Sequence, residues 1–394
     1  MPFGYLLAIT LVAWCTFFAV AAPRGTPALA AMSFRFGLAL NELPFLGLYW
    51  TLGATLLAAA QDDLSSAGGQ VVLAVAAATT AGLVLSVRRS LRARPVLKAA
   101  LGDGLGVDWR RDLSPDTAAR LRRRPPLGRI LFGPVLVRGG DVEHLPDIPY
   151  GDAGPRNLLD VYRRGDITEG APVLVYFHGG GFRSGRKDRE ALPLLYRLAG
   201  QGWVCVSANY RLSPQARFPD PLVDAKKVIA WVREHGRTYG TDGSALFVAG
   251  SSAGGHMSCM AALTPNDPAY QPGFEQADTS VTAAISLYGY HGPVAADGRR
   301  PSSPADHLRP DAPPILLAHG DKDTLVPVED TRTFARRLAD ASSGPVVYAE
   351  LPGAQHSFDL FHSLRFEAVV DAVESFAAWV LATRNSPRTD ARDL

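Results

Sequence analysis

Charge is distributed along this chain in two regimes, and that division constrains everything else it can fold into. Residues 1–87 hold five charged side chains (Arg24, Arg35, Glu42, Asp62 and Asp63), whereas the other 307 residues hold 73. The second share, about 24%, is that of an ordinary water-soluble domain. The first belongs to a segment that meets lipid. Phe3 to Ala22 is an uncharged run of 20 residues, about 30 Å as a helix and enough to cross a bilayer. Further apolar runs extend from Pro44 to Ala60 and from Val71 to Val87. Met1 to Tyr5 contains no Lys or Arg, which argues against a cleaved signal peptide with its basic start.

About three transmembrane helices are therefore expected within residues 1–87. Arg24 and Arg35 lie in the first connecting loop, Asp62 and Asp63 in the second, and Arg88, Arg89, Arg92, Arg94 and Lys98 follow the third run. The positive-inside rule then places the amino terminus outside and everything after Val87 in the cytoplasm, in a multi-pass protein of the cell membrane. Residues 88–138 carry 13 basic and four acidic side chains, a juxtamembrane segment suited to anionic lipid. Nucleic acid is not the expected partner. The net charge is only +2, and Trp109 and Phe132 alone in this stretch offer stacking surfaces. Three widely spaced cysteines (Cys15, Cys205 and Cys259) exclude a disulfide scaffold and a Cys-based zinc site.

From about residue 130 the pattern changes. Strand-length apolar runs stand at Val173–Phe177, Trp203–Ser207, Leu246–Ala249, Val281–Leu287, Ile315–Ala318 and Val346–Leu351. Helical spacing fills Pro221–His235, Ala253–Leu263, Glu329–Leu338 and Glu367–Thr383. Alternation of this kind predicts an α/β fold with a mainly parallel sheet flanked by helices. In such a sheet the ligand site lies beyond the carboxyl ends of the strands.

The informative residues follow those runs. Gly250-Ser251-Ser252-Ala253-Gly254 is a G-x-S-x-G pattern between a strand and a helix. Chance supplies that pattern about 0.2–0.3 times in a chain of this length, so its flanking elements carry the weight. A serine on such a sharp turn projects its hydroxyl as a nucleophile beside a helix amino terminus. His178-Gly179-Gly180-Gly181-Phe182 follows another strand. Consecutive glycines allow backbone N–H groups to face a cavity, and Gly180, Gly181 and Ala253 are the expected oxyanion donors. His178 and Gly179 support that turn, with His178 orienting it. A phosphate loop is disfavoured, because no Gly-Lys-Ser/Thr ending follows. His356, after the last strand, is the expected base, ahead of His256, His291 and His319. Asp321 and Asp323 both follow Ile315–Ala318 in the order Ser, acid, His that such a sheet requires, and Asp323 is nearer the Val326-Pro327 turn. No H-E-x-x-H and no His/Cys cluster with ligand spacing stands in the sequence, so no metal is expected.

Together His178–Phe182, Asn209-Tyr210-Arg211-Leu212-Ser213-Pro214, Gly250–Gly255, His319–Pro327 and Leu159–Arg163 resemble the hormone-sensitive-lipase-like branch of the α/β-hydrolase esterases. With its apolar start the chain looks most like the membrane-associated Lip-type carboxylesterases of mycobacteria and related actinobacteria. The resemblance covers about residues 145–385. It implies an α/β-hydrolase fold and cofactor-free hydrolysis of a small-molecule or lipid carboxylic ester through an acyl-enzyme, with Ser252, His356 and Asp323 as the triad. Ser251 departs from the Asp that many members carry there, which keeps a small-amide hydrolase such as an arylformamidase in view. A non-catalytic binding protein on the same fold is the other alternative, disfavoured by the intact triad candidates. Only about 24 residues separate the strand ending near Tyr290 from Ile315, too few for a large lid. The expected organisation is then a membrane region (1–87), a basic juxtamembrane and cap segment (88–140), a catalytic domain (141–385) and a disordered tail (386–394).

Overall fold

The computed structural model describes residues 3–121, 124–137, 139–294 and 301–384. The expected tail, 386–394, lies outside them. Four helices open the chain: α1 (Phe3–Ala21), α2 (Pro27–Glu42), α3 (Pro44–Ala60) and α4 (Ala67–Leu91). Thr26 and Ser66 cap α2 and α4 by accepting from Leu29 N and Gly69 N, which satisfies amides that have no intrahelical partner. Two helices are long and apolar enough to cross a membrane, α1 and the 39-residue stretch Ala67–Leu105; α2 and α3 form a pair bent by 82°. Pro44 stands at the break, where its missing N–H does no harm at the start of α3.

The bundle is apolar on its outside. Leu7, Leu11, Leu52, Leu56 and Val71 are all more than half exposed. Its helices touch through small residues: a Cβ on Gly37 would stand 2.8 Å from the Phe18 backbone, and one on Gly82 would stand 2.8 Å from the Thr16 side chain. Such close approach is how helices associate where solvent supplies no hydrophobic drive. Tyr5 and Ile9 of α1 meet Ala58 of α3 and Val72 and Ala76 of α4. The start of α1, the end of α3 and the start of α4 therefore share one end of the bundle. The loop expected between the first two apolar runs is the helix α2, whose Ala30, Ser33, Gly37 and Asn41 are buried at helical spacing.

Next come α5 (Ala93–Leu105), α6 (Pro115–Arg120) and α7 (Leu127–Phe132). The strands are β1 (Val142–Pro149), β2 (Leu158–Arg164), β3 (Val173–Phe177), β4 (Val204–Ala208), β5 (Leu246–Ser251), β6 (Ala283–Leu287), β7 (Ile315–Gly320) and β8 (Val346–Leu351). They form one sheet in the order β1-β2-β4-β3-β5-β6-β7-β8. It is parallel from β4 to β8, with β2 and β1 added antiparallel at one edge. The remaining helices are α8 (Leu192–Gly200), α9 (Asp220–His235), α10 (Ala253–Leu263), α11 (Val328–Ala341) and α12 (Leu364–Arg384).

Both faces of the sheet are covered, which explains the continuous apolar strands. Along β3, Val173, Val175 and Phe177 pack with α9, α10 and α11, while Leu174 and Tyr176 face α5, α8 and α12. The basic segment thus contributes a layer of the core: Leu97, Ala100 and Leu101 of α5 are buried with β8 and α12.

The amino-terminal bundle joins this domain through a buried polar cluster. Glu42, at the end of α2, pairs with Arg365 of α12, and both side chains are fully buried. Ser363 donates to Glu42 (2.7 Å), and Arg365 donates to Asn41 (3.0 Å). Asn41 in turn donates to the carbonyls of Ala19 (3.1 Å) and Gly353 (2.8 Å). Removing one member of a buried pair strands the other charge, at a cost of about 3–5 kcal/mol. Glu42→Ala should therefore lower the unfolding midpoint of the detergent-solubilised protein sharply. Glu42→Leu combined with Arg365→Met should recover most of that loss; a double variant as unstable as the single one contradicts this account.

Candidate active site

Ser252 occupies the turn between β5 and α10 with φ 53° and ψ −113°, a conformation that side-chain-bearing residues avoid. The surrounding structure enforces it. A Cβ on Gly250 would overlap the Gly254 backbone, and one on Gly254 would overlap the Phe177 carbonyl. Both glycines are thus sterically required, and the turn is pinned by Ser252 N donating to Leu287 O at the end of β6 (2.9 Å).

His356 and Asp323 come from the loops after β8 and β7. His356 Nδ1 lies 2.6 Å from Asp323 Oδ2. The other carboxylate oxygen accepts from Leu325 N (2.8 Å) and Val326 N (2.9 Å), and His319 Nε2 stands 3.2 Å from Oδ2. Burial works against the Asp323 charge, yet His356 and His319 hold its pKa below the ordinary carboxylate range. Burial likewise disfavours the His356 cation, but Asp323 outweighs it and raises the imidazole above its ordinary value of 6.5. Asp321 accepts from Gly353 N (2.6 Å) instead, so only Asp323 is joined to the histidine. Gln355 ties the two loops together, accepting from Thr324 N (2.7 Å) and His356 N (2.9 Å). Among the described residues no hydrogen bond links Ser252 to His356, a contact that is often long before substrate arrives.

The glycine turn lies across from the serine. Gly180 and Gly181 have φ 109° and 60°, values open to glycine at little cost. Gly180 O accepts from Arg183 N (3.0 Å) and Ser184 N (3.1 Å). Gly181 and Ala253 line a pocket of about 580 Å³ together with Ser252, within the range of small-molecule sites. Gly180 sits one residue behind that lining, and Gly179 N is occupied by Glu190. His178 is fully buried, stacked on Tyr210 at 4.3 Å, with Nδ1 2.6 Å from Gly179 O. Burial holds its pKa down to about 4, so it is a neutral brace for the turn. His256 is similarly held to about 4 by burial, and His291 and His319 share Thr331. Among the described residues no group of three or more His, Cys, Asp or Glu side chains is arranged to hold a metal ion.

This chain matches the BD-FAE family model over residues 159–298. It is 40% identical over 385 residues to the "Probable carboxylic ester hydrolase LipM" of Mycobacterium tuberculosis, covering 90% of this chain and 88% of that one. Esterase LipQ of the same organism is 38% identical, over 75% of this chain and 77% of its own. The chain belongs to the Lip-type carboxylic ester hydrolases. Among solved structures, the butyrate-bound esterase Est2 of Thermogutta terrifontis superposes with a TM-score of 0.51 at 26% identity, covering 60% of this chain and 93% of that one.

This Lip-type esterase departs from the sequence reading in where its site is walled. The segment 88–140 was expected to cap the pocket, yet none of its described residues lines it. Its helix α5 lies along β8 and α12 because its apolar face completes the core. The bundle helix α2 packs instead on the loops that carry His356 and Asp323. Phe34 packs edge-on against His356 with ring centroids 6.1 Å apart, and Thr324 Oγ1 donates to Ala30 O (2.9 Å). Two further residues escaped the sequence reading. The buried Asp359 accepts from Ser251 Oγ, Tyr176 OH and Tyr288 OH, and the Tyr288 ring lies 4.5 Å from His356. Glu190 fastens Gly179, and burial beside Asp359 raises its pKa to about 7. The one hint in the sequence was Ser251, where a carboxylate more often stands.

Proposed function

We propose that this ester hydrolase works through an acyl-enzyme on a Ser252–His356–Asp323 triad. The observation that carries this reading is the Ser252 turn, held in an otherwise unfavourable conformation at the same sheet edge as the His356–Asp323 pair. His356 Nε2 takes the proton from Ser252 Oγ as that oxygen attacks the ester carbonyl. The tetrahedral oxyanion then lies toward the N–H groups of Gly181 and Ala253, with Gly180 as the third donor, each worth about 2.7–4 kcal/mol of barrier. The C–O bond to the alcohol breaks, and His356 returns its proton to the leaving oxygen. Water repeats the sequence on the acyl-enzyme and releases the acid. Asp323 fixes the tautomer and stabilises the imidazolium. The Thermogutta neighbour holds butyrate, which supports a short acyl chain here.

The hydrolase is read as an integral membrane protein with α1, α3 and α4 as spans. Their shared end around Tyr5, Ala58 and Val72 supports this reading, because Asp62 and Asp63 fall there while Arg24 and residues 88–98 fall at the other end. By the positive-inside rule the catalytic domain is cytoplasmic. Leu127, Phe132, Val135 and Leu136 are all more than half exposed, which suits the segment 88–140 to resting on the bilayer.

Detergent-solubilised protein should hydrolyse p-nitrophenyl esters, best at butyrate-length acyl groups, and Ser252→Ala should lose activity by a factor on the order of 10⁵–10⁶. Equal rates in the two proteins would remove Ser252 from the mechanism. The base must be neutral, so a raised His356 pKa moves the acid limb of kcat/KM above the ordinary imidazole value. Asp323→Asn should shift that limb to lower pH and slow turnover by about 10⁴; an unmoved limb would argue against the pair. Cys introduced at Ser65 should react with an impermeant thiol reagent on intact cells, and protection there would reverse the orientation.

A further inference from the structure

The pocket at Ser252 has an apolar throat and a cationic mouth. Phe182, Phe218, Leu222 and Met257 line it within, and Arg183 and Arg217 line it at exposed positions. Among the described residues neither guanidinium meets a carboxylate. A second cleft of about 580 Å³ shares Arg183, Ser213 and Ala216 with the first and adds Arg156 and Arg211. Arg211 is neutralised there by Asp224 (2.8 Å) and Asp220 (3.2 Å). Among the described residues Arg156 donates only to a backbone carbonyl, Gly185 O (3.3 Å), and no Asp or Glu lines either cleft.

Two guanidinium groups without acidic partners among the described residues thus stand at the mouth of the Ser252 pocket, and a third, that of Arg156, lines the adjoining cleft. Elsewhere in the domain some arginines are paired, as Arg197 is with Glu374 and Arg332 with Glu350, and others such as Arg337 and Arg384 donate to backbone carbonyls. What sets Arg183 and Arg217 apart is that they line the same pocket as Ser252. A neutral ester has no use for such a rim. Charges of one sign beside low-dielectric walls focus the field and concentrate oppositely charged solutes. The planar guanidinium also matches carboxylate and phosphate geometry.

We propose that the natural substrate is an ester carrying an anionic group, carboxylate or phosphate, which sits at Arg183 and Arg217 while the ester carbonyl meets Ser252. This proposal rests on Ser252 being the nucleophile.

Two matched pairs test it with the detergent-solubilised full chain. Mono-p-nitrophenyl adipate against p-nitrophenyl hexanoate probes a free carboxylic acid. Dibutyryl phosphatidate against dibutyrylglycerol, followed by released butyrate, probes a lipid headgroup phosphate. In at least one pair the anionic member should have a kcat/KM about ten- to a hundredfold higher at low ionic strength, the range of one charged hydrogen-bond set. That advantage should shrink in high salt, and Arg183→Gln with Arg217→Gln should bring the ratio near one, whereas Arg→Lys at both positions should keep part of it. Which pair shows the advantage distinguishes a soluble acid from a phospholipid. Equal turnover within both pairs, or an advantage that survives the Gln variants, overturns the proposal. So does a loss confined to binding of anionic vesicles, which would give the arginines to the bilayer surface. Signal that persists in Ser252→Ala for every ester would instead mark failure of the nucleophile assignment.

Discussion

Glu42 and Arg365 are 323 residues apart in sequence and meet where no water reaches either charge. The rest of the molecule is organised around that contact. Two ions leave water only at considerable cost, and the site offsets part of this with hydrogen bonds from Ser363 to Glu42 and from Arg365 to Asn41 and Pro352 O. Asn41 extends the same network to Gly353, at the root of the loop that carries His356. The polar cluster is therefore less a source of net stability than a register device. It admits one seating of the amino-terminal bundle on the hydrolase domain, and that seating brings Phe34 and Ala30 to the loops of His356 and Asp323.

The site itself is an edge property of the sheet. β5, β7 and β8 each end in a turn that carries one residue of the proposed triad, and β3 ends in the glycine turn opposite. Strain is concentrated at Ser252, and its confinement comes from the absence of Cβ atoms at Gly250 and Gly254. Beneath the turn, Asp359 gathers hydroxyls from β3, β5 and the β6 loop. Ser252 is thus supported by a buried polar floor and His356 by Tyr288 lying against it. Electrostatics separates roles among chemically similar residues: burial leaves His178 and His256 neutral, while Asp323 raises His356.

Much of this was legible in the sequence where local signals and tertiary fate coincide. β3 and β8 have the bounds their apolar runs predict: β3 is buried on both faces and needs uninterrupted hydrophobic residues, while β8 buries alternate residues against the core. α10 likewise spans Ala253–Leu263 as its spacing predicts. The antiparallel strands β1 and β2 were illegible as strands: Glu143, Pro146 and Asp147 in the edge strand β1 break any alternation, and its pairing depends on β2 alone. α2 was missed for a different reason. Its buried face is made of Ala30, Ser33, Gly37 and Asn41, small and polar groups whose value lies in close helix contact and in reaching Gly353. No pattern of hydrophobicity encodes that. The same blindness assigned the cap to the charged segment 88–140, whose α5 has a short apolar face that the core absorbs. Between Asp321 and Asp323, spacing alone could not choose; the contact with Gly353 N fixes Asp321 in a structural role.

The stretch Ala67–Leu105 runs as 39 residues with only a single turn residue between α4 and α5, about 58 Å at helical rise. It begins in the apolar bundle and ends against β8. An enzyme on a loose tether sweeps a volume of solution and can present its mouth in any direction. Here the rod that enters the bundle is also a structural member of the catalytic core, so the two share one rigid frame. On the proposed placement of α4 in a bilayer, the opening to Ser252 would keep a constant height and bearing over the membrane plane, and encounter would become a two-dimensional problem set by what diffuses past that fixed aperture.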